Sequence, residues 1–332
     1  MPLMTLDDMK TLAERVFVNS KTAPETAAIV ARALVAADAD GMASHGLSRI
    51  PAYADQAISG KVDGFATPRL ERSGKAAITV NAASGFAYPA INLGLDAAAE
   101  IVGETGIVGV AIGHSHHSGV AGHPVERMAE RGLVALSFGN SPAGLGPWGG
   151  NRPLYGTNPI AFACPRRGAA PLVVDLSMAK VARGKVKLAA DRGESIPEGW
   201  AVDADGQPTT DAKAAMAGAM LPMGDAKGAA LTLVVEIIAA LLTGSNMGFE
   251  ASSFFDAEGE PPHIGQFFMV IDPVAFAGDG FLERVEILMT AISEQPGTRL
   301  PGQRRHTIRA AAEADGVNLP DALFDELTAR AG

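Results

Sequence analysis

The chain has 332 residues, of which 47% are hydrophobic and 19% charged, so it is long enough for one large α/β unit or two to three lobes around a sizeable core. Its formal net charge of −10 argues against nucleic-acid binding and against a membrane-surface role, since both favour a basic surface. A single cysteine, Cys164, excludes an internal disulfide framework and suits the reducing cytoplasm, where we expect the protein to reside. The first residues show neither the basic nor the apolar region of a signal peptide.

The N-terminal quarter of the chain has the periodicity of helices. Apolar and polar residues alternate at helical spacing over Thr5–Asn19, and Thr22 is expected to cap a second helix with Pro24 in its first turn. Pro51 breaks or kinks the next helix. The polar stretch Lys61–Gly74 is predicted to connect two lobes.

From Ala76 onward, predicted strands and helices alternate, with an exposed, turn-rich segment at Trp200–Thr210. The most apolar run, Ala229–Leu242, is shorter than a membrane span, contains Glu236 and predicts a buried helix. The strands are predicted at Ala77–Val80, Ile107–Ile112, Leu133–Phe138, Ile160–Ala163, Leu172–Asp175 and Gln266–Ile271, and the helices at Tyr88–Thr105, Val120–Arg131, Met178–Leu188, Ala226–Leu242, Phe281–Ser293 and Ala310–Ala331, the last with a break near Pro320.

The stretch Asp38–Arg49 is the strongest candidate for chemistry. If the chain is helical from Ser44 onward, His45 and Arg49 stand at i and i+4 on one face, where a proton donor and an anion clamp converge on one small molecule. The alternative is an ordinary helix start, with Ser44 as N-cap and Arg49 solvated.

A literal G-x-G-x-x-G pattern occurs at Gly144, Gly146 and Gly149. A dinucleotide fingerprint requires a helix to begin at the third glycine, whereas Pro153 and Pro159 follow here. We therefore favour a glycine-rich loop lining a cleft over a Rossmann motif.

Four histidines, His114, His116, His117 and His123, lie close together in the sequence. No carboxylate or thiol completes a ligand set at the usual spacings, so we predict no metal site. The segment Ser115–Gly122 follows a buried strand and opens a helix whose N-terminal amides can bind phosphate, which favours a turn that faces a cofactor.

Four further charged residues are candidates for ligand binding. Asp175, at the end of a predicted strand, either meets a ligand or caps a helix near Met178. Lys227 opposes the dipole of the helix that it opens, which suggests a nearby anion. Arg304 and Arg305 either grip a phosphate or form part of a charged surface.

Together these features resemble the malate/L-lactate dehydrogenase family of the non-Rossmann type, which includes ureidoglycolate and sulfolactate dehydrogenases and Δ1-piperideine-2-carboxylate/Δ1-pyrroline-2-carboxylate reductases. The resemblance implies an α/β fold with a largely antiparallel cofactor-binding sheet in 76–295, a turn-rich insertion near 190–225, a helical lobe from 1–75 with 296–332, and a homodimer. The matching segments are Ser44-His45-Gly46 with Arg49 and Tyr53, Ser115–His117, Gly156–Phe162, Pro197–Trp200, Asp203–Asp211, Lys227-Gly228 and Pro301-Gly302.

The resemblance also implies roles for individual residues. His45 becomes the proton donor, Ser44 its relay partner and Arg49 the clamp for the substrate carboxylate, and a pKa near 6.5 suits an imidazole for this transfer. Thr157, Arg183 and Gly184 would contact the substrate. Cofactor contacts would fall on His117, Ser118, Gly119, Val120, Ala121, Asp175, Leu176, Ser177, Lys227, Gly228, Gly302, Arg304 and Arg305.

One catalytic position, Lys185, departs from the pattern of the cyclic-imine reductases, which have an aspartate there to complete the relay. A lysine cannot accept a hydrogen bond from an imidazolium, and hydroxy-acid relatives commonly have it. Conversely, Met220–Gly228 and Phe249–Gln266 look closer to the imine reductases.

We therefore predict an NAD(P)H-dependent reductase that converts Δ1-pyrroline-2-carboxylate or Δ1-piperideine-2-carboxylate to L-proline or L-pipecolate, with NADP favoured by Arg304 and Arg305. The alternatives are an NAD(P)-dependent 2-hydroxy-acid dehydrogenase of the malate, lactate or ureidoglycolate type, and a dimeric binding protein that has lost activity.

Overall fold

The computed structural model describes all residues, Met1–Gly332. Its helices are α1 (Leu6–Asn19), α2 (Pro24–Ala39), α3 (Ile50–Ser59), α4 (Ala87–Thr105), α5 (Gly122–Glu130), α6 (Arg183–Arg192), α7 (Ala212–Ala217), α8 (Asp225–Glu236), α9 (Pro273–Ala277), α10 (Phe281–Ser293), α11 (Gln303–Asp315) and α12 (Asp321–Ala331). Its strands are β1 (Leu3–Met4), β2 (Arg69–Gly74), β3 (Ala77–Asn81), β4 (Ile107–Ser115), β5 (Val134–Gly139), β6 (Ile160–Cys164), β7 (Leu172–Leu176), β8 (Ala201–Val202), β9 (Pro208–Thr209), β10 (Ala219–Met220), β11 (Ile264–Ile271) and β12 (Val317–Asn318).

A seven-stranded sheet in the order β2-β3-β4-β11-β5-β6-β7 forms the centre of the molecule. Only β3 and β4 run parallel, across the intervening helix α4, and every other neighbouring pair is antiparallel. Alternate residues of β4, such as Val108, Val110 and Ile112, are fully buried and share a core with Leu95 of α4 and Met128 of α5. The predicted α/β fold with a largely antiparallel sheet is confirmed.

The helical lobe joins the two ends of the chain, as predicted. Helices α1, α2, α3 and α12 share a core that includes Phe17, Leu34, Tyr53 and Leu327. The terminal strands β1 and β12 pair antiparallel, so the N-terminus lies beside the last part of the chain.

A third hydrophobic core surrounds the small sheet β10-β8-β9. Leu145 of the glycine-rich loop is buried in it, and its backbone pairs with that of Tyr155 and Met220. No helix begins at Gly149, in agreement with the prediction of a loop.

A buried ion-pair network fastens α11 to the end of α2 and to α5. Arg309 donates to Asp40 at 2.6 Å and to Glu126 at 2.9 Å, His123 Nε2 lies 2.8 Å from Asp40, and Arg305 Nε lies 3.5 Å from Asp40. Burial alone would raise the pKa of Asp40, but hydrogen bonds from His123 and Arg309 bring that pKa down to about 2. The network therefore holds the helical lobe against the sheet with Asp40 ionised.

Two differences from the predicted elements lie in the first third of the chain. Thr22 does not cap α2, because the residue at the cap position is Ala23 and no side chain caps the helix. The predicted connection Lys61–Gly74 contains the edge strand β2, whose side chains are mostly exposed and therefore lack a clear apolar pattern.

The helix predicted from Met178 begins instead at Arg183. The amides of Met178 and Lys180 donate to the carbonyls of Thr157 and Leu221, so this segment is held by distant parts of the chain. Tertiary hydrogen bonds thus override the local helical periodicity.

The apolar run Ala226–Leu242 is only half buried. Helix α8 passes at Glu236 into a π turn, Ile237–Leu241, and its Thr232 and Val235 side chains face the interior. A continuous apolar run does not distinguish burial in the chain's own core from burial against a partner. The exposed apolar side chains of this run are Leu231, Leu233, Val234, Ile237, Leu241 and Leu242.

No helix combines the length and the apolar character needed to cross a membrane.

Candidate active site

The residues Ser44, His45 and Arg49 lie between α2 and α3 on two short 3-10 turns, Ala43–His45 and Leu47–Arg49. Ser44 Oγ is 3.0 Å from His45 Nδ1, and Arg49 Nε donates to the Ser44 carbonyl at 2.7 Å. The three predicted residues are therefore brought together by the turns and not by an i, i+4 helical face.

Asp38, in the last turn of α2, contacts the backbone of these turns. Its carboxylate accepts the Leu47 amide at 2.7 Å. It also lies so close to Gly46 that a Cβ atom there would be 2.2 Å from the Asp38 carboxyl carbon. Burial raises the pKa of Asp38 to about 6, although the Leu47 hydrogen bond opposes the shift.

His117 faces the same site from the segment that follows β4. Its ring centroid lies 5.6 Å from that of His45, and its Nδ1 lies 2.5 Å from the hydroxyl of Tyr53. Tyr53 is fully buried in the helical core, so it fixes the orientation of the His117 ring. Burial lowers the pKa of His117 well below its ordinary value.

Two phenylalanines of the segment before β11 close the site. The Phe255 ring centroid is 5.1 Å from the Arg49 guanidinium carbon, and the Phe254 ring is 5.0 Å from that of His117. Buried Lys61 holds this segment by donating to the Ser253 carbonyl at 2.7 Å, the Asp256 carboxylate at 3.1 Å and the Glu258 carbonyl at 2.5 Å. Sequence reasoning missed Lys61, because carbonyl partners so distant in sequence leave no pattern.

The site carries unbalanced positive charge around a neutral imidazole. Burial, followed by the charges of Arg49 and His123, lowers the pKa of His45 to about 4, so the expected value near 6.5 is wrong. Arg49 has no carboxylate partner, although it is half-buried. Arg183 is the only other arginine shielded from solvent without an acidic partner; the paired ones are Arg127, Arg166, Arg305, Arg309 and Arg330.

The other predicted substrate contacts lie on separate elements. The Thr157 amide donates to Ser141 Oγ at 3.1 Å, and its carbonyl accepts from Ser177 Oγ at 3.4 Å. Arg183 donates to the Ala143 carbonyl, and burial lowers its pKa. Gly184 and Lys185 are exposed at the start of α6. None of these side chains forms a hydrogen bond or ion pair with the Ser44–Arg49 turns.

The predicted cofactor turn lies at the N-terminus of α5. Asp175 caps this helix by accepting the Gly122 amide at 2.8 Å, so it does not cap a helix near Met178. Beside it is a small pocket, lined among others by Ser118, Ala121 and Gln266. The buried Gln266 Oε1 and Arg305 Nη1 atoms have no hydrogen-bond partner. These residues fit a ligand rich in amide and phosphate groups.

The adjacent arginines of the predicted phosphate clamp face different surroundings. Arg305 lies in the buried network, whereas Arg304 is exposed in the first turn of α11, after Gly302. Lys227 is exposed in the first turn of α8, and Leu176 is exposed at the end of β7. Gly228 packs against the Met223 carbonyl so tightly that a Cβ atom would lie 1.6 Å from that oxygen.

The four clustered histidines disperse in the structure. His114 lies beside His263, with ring centroids 5.2 Å apart, and His123 bonds to Asp40. His116 is buried against Tyr53, and only His117 faces His45.

Comparison with known proteins places this geometry in a family. The model of the malate/L-lactate dehydrogenase family matches residues 4–328. The (2R)-3-sulfolactate dehydrogenase (NADP(+)) of Chromohalobacter salexigens is 57% identical over 305 residues, which cover 92% of this chain and 91% of that relative. The Δ1-pyrroline-2-carboxylate/Δ1-piperideine-2-carboxylate reductase of Pseudomonas syringae pv. tomato is 41% identical over 322 residues, covering 97% and 94%.

A solved structure agrees in fold over the whole chain. The crystal structure of the Δ1-piperideine-2-carboxylate reductase from Pseudomonas syringae pvar. tomato has a TM-score of 0.94 and 40% identity, covering 99% of this chain and all of that one.

The prediction of a cyclic imino acid reductase is wrong, because the sulfolactate dehydrogenase is much more similar in sequence, at 57% against 41% identity. The two segments that favoured an imino acid reductase have structural roles in this chain. Met220–Gly228 contains the tight turn into α8, and Phe249–Gln266 contains the segment held by Lys61. The predicted oxidoreductase class and nicotinamide cofactor are confirmed. The chain belongs to the malate/L-lactate dehydrogenase family.

Proposed function

We propose that this protein is an NADP-dependent 2-hydroxy-acid dehydrogenase that oxidises (2R)-3-sulfolactate to 3-sulfopyruvate. The 57% identity to the Chromohalobacter enzyme supports the substrate and the cofactor. The structural observation that carries the proposal is the half-buried Arg49 guanidinium, which has no acidic partner and lies beside a neutral imidazole. A shielded, unpaired cation favours an anionic substrate.

The proton chemistry follows from the surroundings of His45. In the tautomer whose Nδ1–H donates to Ser44 Oγ, the Nε2 atom keeps a free lone pair and accepts the proton of the C2 hydroxyl. Bound NADP supplies the acceptor for the hydride that leaves C2. Arg49 binds the substrate carboxylate, whose negative charge then favours the imidazolium. Ser44 is exposed, which gives the proton a route to solvent.

The second anionic group of the substrate requires a second cation. We assign the sulfonate to Arg183 and Lys185 of α6, with Thr157 and Gly184 lining the same side. Support comes from charge: Arg183 lacks an acidic partner, and Lys185 forms no ion pair. An aspartate in place of Lys185 would repel a sulfonate.

For the cofactor, we propose the turn His117–Ala121, the strand end Asp175–Ser177, Lys227-Gly228, and Gly302 with Arg304 and Arg305. Two buried polar atoms without a hydrogen-bond partner support this placement: Gln266 Oε1, which lines the small pocket at α5, and Arg305 Nη1, which lies beside Gly122 at the start of α5. We also propose that the chain divides into the helical lobe 1–75 with 296–332 and the sheet domain 76–295.

We propose that the apolar face of α8 and its π turn forms the interface of a homodimer. Its Leu241 and Leu242 side chains are 54% and 60% exposed, and a contiguous exposed apolar patch of this kind marks a protein–protein contact. We expect light scattering to give about twice the 34.1 kDa chain mass. Val234→Glu should yield the monomer, whereas the control Phe276→Glu, at an exposed site on α9, should not; a dimer that survives Val234→Glu would contradict this interface.

Steady-state kinetics test the substrate assignment. With NADP, we expect kcat/KM for (2R)-3-sulfolactate to exceed that for lactate about 30- to 1000-fold, because lactate lacks the second anion and its charged contact with half-buried Arg183, which we expect to contribute about 2–4 kcal/mol. Malate, whose second anion is a carboxylate, should fall between them. Equal kcat/KM values for sulfolactate and lactate would overturn the sulfonate assignment.

A further inference from the structure

The carboxylate of Asp38 occupies an unfavourable place that a structural role alone does not require. It lies in the last turn of α2, where the helix dipole disfavours negative charge, and it is only 8% exposed. Its single hydrogen-bond partner is the Leu47 amide at 2.7 Å. Because burying a carboxylate is energetically unfavourable, its presence here indicates that its contact with the turns contributes to function.

The contact acts directly on the backbone around His45. Asp38 binds the amide one residue beyond Gly46, and its carboxyl group fills the space that any Cβ atom at Gly46 would take. The peptide that follows His45 is therefore restrained in two ways, by the hydrogen bond from the Leu47 amide and by steric contact with the Asp38 carboxyl group. The His45 side chain is attached to the Cα atom that begins this peptide, so the orientation of the peptide sets the position of the His45 ring.

We infer that Asp38 is a positioning residue, whose ionised carboxylate holds the Gly46-Leu47 backbone so that the His45 imidazole stays aligned for proton transfer. The inference rests on the proposed function only in taking His45 as the proton acceptor. A charged acceptor binds an amide more strongly than a neutral one, so protonation of Asp38 loosens the turn.

The neighbouring charged groups do not bind Asp38 themselves. His123 and Arg309 both pair with Asp40, and the His45 ring and the Arg49 guanidinium both bond to Ser44. None of the five forms a hydrogen bond or ion pair with Asp38. Protonation of Asp38 therefore acts directly on its hydrogen bond with the Leu47 amide and on no other hydrogen bond or ion pair of its side chain.

The isosteric change Asp38→Asn tests the inference by two readouts. In protein labelled with ¹⁵N-leucine, the Leu47 amide resonance of the wild type should titrate near pH 6, and this titration should vanish in the variant. In assays of 2-hydroxy-acid oxidation, kcat should fall about tenfold and lose its decrease below pH 6, while KM and the NADPH Kd change by less than about twofold.

Asp315→Asn, at the exposed end of α11, serves as the matched control and should change neither readout. A Leu47 resonance that does not titrate in the wild type, or a wild-type kcat and pH profile in Asp38→Asn, would overturn the inference. If the wild type oxidises no 2-hydroxy acid, the proposed function fails, but the Leu47 titration still decides the role of Asp38 in the turn.

Discussion

His45→Ala is expected to lower kcat for hydroxy-acid oxidation by about 10³-fold, within the range that a positioned general base contributes. His45 is the imidazole that lies beside the unpaired Arg49, and its low pKa keeps it in the base form at neutral pH. In the reverse direction the protonated form is required, so the wild-type rate of keto-acid reduction should fall as pH rises above the pKa. His45→Ala should remove that slope.

His114→Asn provides the control for His45→Ala. His114 is exposed, lies beside His263 and has a positive φ that asparagine tolerates. We expect wild-type kinetics from this variant. Wild-type kcat in His45→Ala would exclude His45 as the proton acceptor.

Arg49→Ala is expected to raise KM for the hydroxy acid about 30- to 1000-fold, since loss of one member of a buried charged pair costs about 2–4 kcal/mol. The NADPH Kd should change little. Because the charge of Arg49 lowers the pKa of His45, the same substitution should raise that pKa, which NMR of the imidazole can follow.

Arg152→Ala, which removes an exposed arginine without an ion pair, is the control for Arg49→Ala. It should leave KM unchanged. An unchanged KM in Arg49→Ala would remove Arg49 as the carboxylate clamp.

Six of the seven strands of the central sheet and most helices follow from local pattern, and so does the candidate set Ser44, His45 and Arg49. The residues that hold this set in place do not follow from local pattern. Asp38 and Leu47 are close in sequence, but their contact depends on how the chain turns at Gly46. The Tyr53–His117 contact and the Lys61 bonds join residues far apart in sequence, so no periodicity predicts them.

Two errors have a common physical origin, because local sequence does not specify what lies opposite a residue. The apolar run of α8 reads equally well as a core helix or as an interface helix, and the structure leaves Leu231 and Leu242 exposed. The predicted His45 pKa near 6.5 omitted burial and the charge of Arg49, which together lower it.

The most direct test of the proposed reaction is to incubate the purified protein with NADP and (2R)-3-sulfolactate and to measure NADPH and keto acid together. The expected result is equimolar NADPH and 3-sulfopyruvate. No NADPH from sulfolactate or any other 2-hydroxy acid, with rapid NADPH consumption on Δ1-pyrroline-2-carboxylate, would contradict the proposed function.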